Sequence, residues 1–306
     1  MSVAEGPPHP PAGAAAERDP GENARGAALM VAAMAGFAAN DAIMKGVLES
    51  LPLFQAVFLR GLMGTALMAL AAWRLGALRL PRGRDARLMA WRTAAEAGAT
   101  AFYLTALMRM PLANATAILQ ALPLTVTFAA ALFLGAPVGW RRWSAIAAGF
   151  VGVLVILRPG PEGFGAGSLW VLAAVACMTA RDLLSRSLSP ALPSATATLW
   201  TMAALTLLAA PAAAAQGWAP VTPALALRLA AAACLILVGF GCVIAAMRVG
   251  DVAAVAPFRY VILVFAMILG AVFYGERPDA PMLLGAAIVI GAGLYTLRRE
   301  RIRAQD

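Results

Sequence analysis

Histidine and lysine occur once each in this chain, as His9 and Lys45, and cysteine only at Cys177, Cys234 and Cys242. Each scarcity excludes a class of chemistry. His9 stands alone in a Pro- and Gly-rich leader, so histidine triads, histidine metal sites and histidine proton relays have no residues to work with. The cysteines are odd in number, lie in apolar stretches and form no Cys-x-x-Cys pair, which indicates neither a disulfide framework nor a zinc site. Charge is scarce too. Only 13% of residues are charged against 62% hydrophobic, and the mean hydropathy is +0.80. That balance cannot cover the surface of a water-soluble globule of 306 residues. The chain reads as an all-α integral membrane protein. Its net charge of +9, nearly all from arginine, is then a topological signal and calls for no nucleic-acid partner.

What is present is ten apolar runs near the length that crosses about 30 Å of hydrocarbon as helix. They fall at about 27–48, 53–73, 88–108, 112–134, 140–157, 167–187, 194–214, 225–247, 252–274 and 280–297. No polar stretch between them is long enough to fold separately, which leaves no nucleotide-hydrolysing module. Gly163 to Gly167 is a glycine-rich turn without the Lys-Ser/Thr of a phosphate loop. Residues 1–25 are too acidic for a signal peptide and read as a disordered cytoplasmic tail, with 301–306 as a second tail.

The sequence also repeats itself. Ala39-Asn40-Asp41 to Lys45, followed by Leu51-Pro52, returns 141 residues later as Ala180-Arg181-Asp182 to Arg186, followed by Leu192-Pro193. Further on, Ala106 to Arg109 matches Ala245 to Arg248, Gly135 matches Gly275, and Leu157-Arg158 matches Leu297-Arg298. The halves are 26–160 and 161–300. Five spans per half is an odd number, so the second copy enters the membrane from the opposite face. This predicts ten transmembrane helices as two inverted five-helix repeats around a cavity near the midplane. Ser144, Ala148 and Gly152 form a small-residue stripe expected to pack span 5 closely.

Arginine sets the orientation. Arg74 through Arg92, Arg141, Arg142, Arg181, Arg186, Arg248 and Arg298 through Arg303 fall toward one face, against Lys45, Arg109, Arg158, Arg228 and Arg277 toward the other. The positive-inside rule then puts both termini in the cytoplasm of a bacterial inner membrane. The tryptophans lie mostly near predicted span ends, as an interfacial belt would require.

Ionisable residues inside spans cost roughly 2.5–3.5 kcal/mol each unless paired, hydrated or functional. At about 1.5 Å per residue, Asp41, Arg60 and Gln120 fall on one level and Glu96, Arg259 and Tyr260 on a deeper one. Asp41 with Arg60, and Glu96 with Arg259, are expected to be ion pairs, cavity ligands for a small zwitterion, or both, with Asp41 or Glu96 exchanging a proton. Asn40 and Tyr103 are weaker candidates for substrate contact or coupling. Lys45 and Arg186, at matching repeat positions near span ends, are expected to snorkel to headgroups, and Asp182 to pair locally with Arg181. No catalytic set, metal site or cofactor site emerges from the spans, and an enzyme is not expected.

Ala256-Pro257-Phe258-Arg259-Tyr260, continuing through Phe273-Tyr274-Gly275-Glu276-Arg277-Pro278-Asp279, together with Asn40-Asp41, Lys45, Pro52, Gln55 and Arg60, resembles the EamA family of the drug/metabolite transporter superfamily. The likeness covers residues 26–300. The chain departs from the pattern at Ala136, where the first copy lacks the glutamate that Glu276 supplies in the second. What the resemblance implies is a basket of ten helices that moves small organic metabolites or drugs by alternating access without ATP. The expected partners are a small-molecule substrate and the bilayer, with a homodimer compatible. Export is the first expectation, and uptake of a vitamin or cofactor such as riboflavin or S-adenosylmethionine the second.

Overall fold

The computed structural model describes residues 20–305, except 75, 77–79, 136–138, 159–164 and 190–191. Span 1 is α1 (Pro20–Val47), span 2 α2 (Leu53–Arg74) and span 3 α3 (Gly83–Leu107). Span 4 is split into α4 (Leu112–Leu119) and α5 (Leu122–Leu134), and span 5 is α6 (Trp140–Leu157). Spans 6, 7 and 8 are α7 (Ala166–Arg186), α8 (Ser194–Ala215) and α9 (Pro223–Val249). Span 9 begins as α10 (Val252–Val255), tightens into a 3-10 segment (Ala256–Val261) and continues as α11 (Ile262–Tyr274). Span 10 is α12 (Ala280–Gln305).

Eight of these helical stretches are apolar and long enough to cross a bilayer by themselves, and Ala280–Thr296 is a shorter apolar one. The remaining span, α3, is diluted by Arg84, Asp85, Arg87, Arg92 and Glu96, which the bundle has to accommodate. Two expected limits shift. Helix α1 starts at Pro20, inside the stretch read as a tail, and α12 runs through the C-terminal residues to Gln305; residues 1–19 lie outside the described set.

Inversion of the repeats is visible in which spans touch. Span 1 lies along span 8 and span 3 along span 6, while span 2 packs on span 7 and span 5 on span 10. Exchanging each span for its counterpart five places along maps this pattern onto itself, as a two-fold relation between the halves requires. Thr65 and Thr206, repeat mates 141 residues apart, meet with their Oγ1 atoms 3.4 Å from each other, which places the pseudo-axis between spans 2 and 7.

Both breaks in helical geometry fall in equivalent spans. Pro123 has no N–H to give the Leu119 carbonyl, and Pro257 none for Ala253, so α-helical bonding lapses near residues 120 and 257. Transporter sites are commonly built where spans are discontinuous in this way, because irregular backbone in lipid is tolerated only around a cavity.

At the seam of spans 5 and 10 the backbones nearly touch. A Cβ on Gly152 would come 2.8 Å from the Gly285 carbonyl oxygen, and one on Gly285 2.5 Å from that of Gly152. The stripe that packs is Ala145, Gly149 and Gly152; Ser144 and Ala148 face outward. The packing stripe differs from the expected one because the residues three and four before Gly152 lie to either side of it around the helix, and the position of span 10 decides which of them packs. The outer surface is studded with exposed Leu, Val, Ile and Phe, including Leu207 at 72% and Val272 at 70%, and Trp73, Trp91, Trp140 and Trp218 stay exposed near span ends. Such a surface suits acyl chains with an aromatic belt.

Two outcomes test this packing. Gly152→Val should lower the thermal-inactivation midpoint of the detergent-solubilised protein by several degrees, the effect of about 1–3 kcal/mol of overpacking, whereas Gly291→Ala, where a Cβ meets nothing within 4 Å, should not. In a background without native cysteines, the Thr65→Cys/Thr206→Cys double variant should close to a disulfide under mild oxidation, seen as fragments that stay joined after cleavage between spans 2 and 7.

Candidate functional site

Asp41 lies two turns before the end of α1 and faces the middle of the bundle. Its carboxylate accepts two neutral hydrogen bonds, from the Tyr103 hydroxyl to Oδ2 at 2.8 Å and from the Asn40 amide to Oδ1 at 2.9 Å. Arg60, one span away, donates to the Asn40 Oδ1 at 3.2 Å. The Asn40 side chain therefore stands between the two charges, which interact through it and through space. Asn40, at 3% exposure, and Tyr103, at 7%, are buried, while Asp41 and Arg60 keep part of their surface accessible deep within the bundle. Groups so placed line a cavity.

A second charged layer lies nearer the arginine-rich end. Arg181 donates to Glu96 at 3.0 Å and to Asp182 at 2.9 Å, with all three side chains between 21% and 34% exposed. Arg92, on the same face of α3, is held differently, by the hydroxyls of Ser185 at 2.8 Å and of Thr201. Its immediate partners are thus neutral, and Glu96, Asp182 and Arg181 act on it from further away. Arg60 lies within electrostatic range of both Asp41 and Glu96.

Several expectations change. Glu96 pairs with Arg181 and not with Arg259, because α3 runs along span 6 whereas Arg259 belongs to the 3-10 segment of span 9 beside spans 1 and 10. Arg259 is exposed, about 10 Å from the arginine-rich end by helix rise. Tyr260 is 8% exposed with its hydroxyl unpartnered, lodged against Gly293 of span 10. Gln120 is half-buried at the break in span 4, apart from the Asp41 cluster's hydrogen bonds. Asp41, Asn40, Arg60 and Tyr103 are brought together, as are Arg181 and Asp182.

Lys45 does not snorkel. Its ammonium turns inward to Glu276 at 2.5 Å and to the Met110 carbonyl at 2.8 Å, with the two charged side chains only 14% and 12% exposed. The glutamate at the end of span 9 offers more than headgroups would, since it is anionic and shielded from competing water. At this same end the fully buried Gln55 is satisfied twice by the backbone of Ala219, which ties span 2 to the connection between spans 7 and 8. By contrast, Asp279, outside the spans, is held below the ordinary carboxylate range chiefly by a hydrogen bond from Arg158, but both side chains are half exposed and the link adds little stability. Arg92 was missed as a site residue because a span-end arginine reads as a topology marker; its place beside Glu96 one helical turn on was the available signal. Among the described residues no group of three His, Cys, Asp or Glu could hold a metal ion.

Comparison with known proteins agrees with this architecture. Residues 24–158 and 165–298 each match the EamA-like transporter family. Among relatives, a riboflavin transporter of Rhizobium johnstonii is 29% identical over 201 residues, covering 66% of this chain and 67% of that protein. An S-adenosylmethionine uptake transporter of Rickettsia bellii is 26% identical over 193 residues, 62% of this chain and 65% of that protein. A riboflavin transporter of Vibrio cholerae is 26% identical over 181 residues, 59% and 61% of the two chains. The matched part spans about two thirds of the length of these relatives. A solved crystal structure shares the fold with a TM-score of 0.61 at 20% identity, over 91% of this chain and 99% of that one. With the duplicated family match over nearly all the described residues, this multi-pass membrane protein belongs to the EamA-like transporter family.

Proposed function

We propose that this protein is a secondary active transporter of a bacterial inner membrane, with both termini cytoplasmic, that carries a small zwitterionic organic metabolite by alternating access. The observation that supports it most is a pair of under-neutralised opposite charges in one cavity. Asp41 is held only by the neutral donors Tyr103 and Asn40, and Arg92 only by two hydroxyls. An elongated solute with its amine and carboxylate well apart matches the pair, since Arg92 lies about 16 Å of helix axis before the Tyr103 that holds Asp41, and charge-assisted bonds are about twice as strong as neutral ones. The other ionisable groups of the two layers, Arg60, Glu96, Arg181 and Asp182, balance two against two.

Asp41 is also the proposed coupling group. A carboxylate whose hydrogen-bond donors are neutral can take up a proton without breaking a direct ion pair, whereas Glu96 and Asp182 are tied to Arg181. Uptake replaces export as the favoured direction, because the Rickettsia relatives carry uptake in their names. The positive-inside bias supports the cytoplasmic placement of both ends.

Counterflow in proteoliposomes tests the reading, with labelled amino acids, S-adenosylmethionine and riboflavin and with or without a pH gradient. Saturable flux of at least one zwitterion is expected, stimulated by the gradient. Asp41→Asn should remove that stimulation, and Arg92→Gln should raise KM by about 10- to 100-fold, the loss of one hydrogen bond to a charged group. Cys234→Ala, exposed and outside the cavity, should behave as wild type. Absence of saturable counterflow with every solute would reject the assignment.

A further inference from the structure

Repeat mates provide an internal control for conformation, since under exact symmetry each pair would be equally buried. At the arginine-poor end Met44, Val47, Leu48 and Leu51 are 0%, 0%, 5% and 3% exposed. Their mates 141 residues on, Ser185, Leu188, Ser189 and Leu192, are all partly exposed. Contacts agree. At the arginine-poor end α1 touches α3 and α4, and α4 touches α11; the counterpart pairs, α7 with α9 and α10, and α5 with α10, share no sustained contact among the described residues. The cavity is shut at the arginine-poor end and open toward the arginine-rich one.

Among the described residues the shut end holds a set of polar links without repeat counterparts at the open end. Glu276 accepts from Lys45 of span 1 through Oε1 at 2.5 Å and from the Leu112 amide of span 4 through Oε2 at 2.7 Å. Beside it the Tyr274 hydroxyl donates to the Ala42 carbonyl of span 1 at 2.5 Å, and the Lys45 ammonium sits 5.3 Å from the Tyr274 ring centroid. Two glycines make room. A Cβ on Gly46 would come 2.9 Å from the Tyr274 hydroxyl, and one on Gly270 2.5 Å from Glu276 Oε2. At the mate positions Glu276 becomes Ala136, which can accept no such bond, and Tyr274 becomes Leu134, which has no hydroxyl and is 61% exposed. Lys45 becomes the exposed Arg186.

We infer that Lys45, Glu276 and Tyr274 form a one-sided lock on the arginine-poor gate, which biases the resting transporter toward the conformation open at its arginine-rich face. The inference rests on the alternating-access reading above. Opening the shut end requires span 1, the start of span 4 and the end of span 9 to part from one another, which breaks a shielded ion pair and three hydrogen bonds between side chains and backbone together. Opening the other end breaks no counterpart of these links among the described residues. The lock acts on the equilibrium between conformations and leaves the solute contacts at Asp41 and Arg92 untouched.

Accessibility labelling tests this in a background without native cysteines. A reporter at Leu51→Cys reports the arginine-poor gate and one at its mate Leu192→Cys the opposite gate, each probed with a membrane-impermeant maleimide from its own face of oriented vesicles. With the lock intact, only L192C should label quickly. Glu276→Gln should speed L51C labelling about tenfold, the change that follows from losing about 1.4 kcal/mol of bias, and slow L192C labelling. The exchange Lys45→Glu with Glu276→Lys should restore the original pattern, and Tyr274→Phe should give a smaller shift in the same direction. Size-exclusion profiles identify folded variants, and Tyr274→Phe keeps the test open should Glu276→Gln not fold. Unchanged labelling in the folded variants, alongside normal counterflow, overturns the lock and spares the transport reading; missing counterflow in the unmodified protein overturns the transport reading instead.

Discussion

A charge inside a bilayer must find an opposite charge, a hydrogen-bond network or water, and the interior of this protein is organised around that constraint. The apolar exterior leaves the bundle free to meet lipid on all sides, so the few intramembrane ionisable groups turn inward. Once inward they sort into layers. Glu96, Arg181 and Asp182 neutralise one another directly, whereas Asp41 and Arg60 are separated by the Asn40 amide. The proposed solute and proton roles rest on this difference in partner.

Duplication supplies the symmetry, and departures from it supply direction. Two identical halves would have gates of equal strength at both faces, and the cavity would favour neither. Here the Tyr-Gly-Glu turn after span 9 is answered by Leu-Gly-Ala after span 4. The glutamate reaches back over Gly270 to the start of span 4 and to Lys45, while the first copy has nothing to send across. A few side-chain differences between repeat mates thereby change which end of the molecule is held closed. Breaking one partner of a shielded pair costs far more than never having had the pair, so the asymmetry is strongly felt.

Glycine has a narrower role than its abundance suggests. Gly152 and Gly285 let spans 5 and 10 approach backbone to backbone, a contact that any side chain would prevent. The seam lies between spans 5 and 10, apart from the charged residues of spans 1, 2, 3 and 6. The breaks at Pro123 and Pro257 provide the opposite property, freeing backbone groups near the cavity where regular helix would have hidden them.

The sequence alone determined the class of molecule. Ten apolar runs, an odd number per copy and a skewed arginine distribution are facts about hydration, length and counting, and they establish an inverted ten-helix transporter fold without coordinates. It also singled out Asp41, Arg60, Asn40, Tyr103 and Glu96, because an ionisable or hydrogen-bonding residue within a lipid-length run stands out against its neighbours. Partnership was not legible there. Depth along a helix gives a level but not an azimuth, so Glu96 was matched to Arg259 at the same height when its partner was Arg181 on the adjacent helix. Lys45 looked like a headgroup anchor because only the packing of span 9 on span 1 reveals a carboxylate within reach. Which charges meet, and which end of the cavity is shut, depends on how separately stable helices rotate and lean against one another, and that is settled by tertiary packing alone.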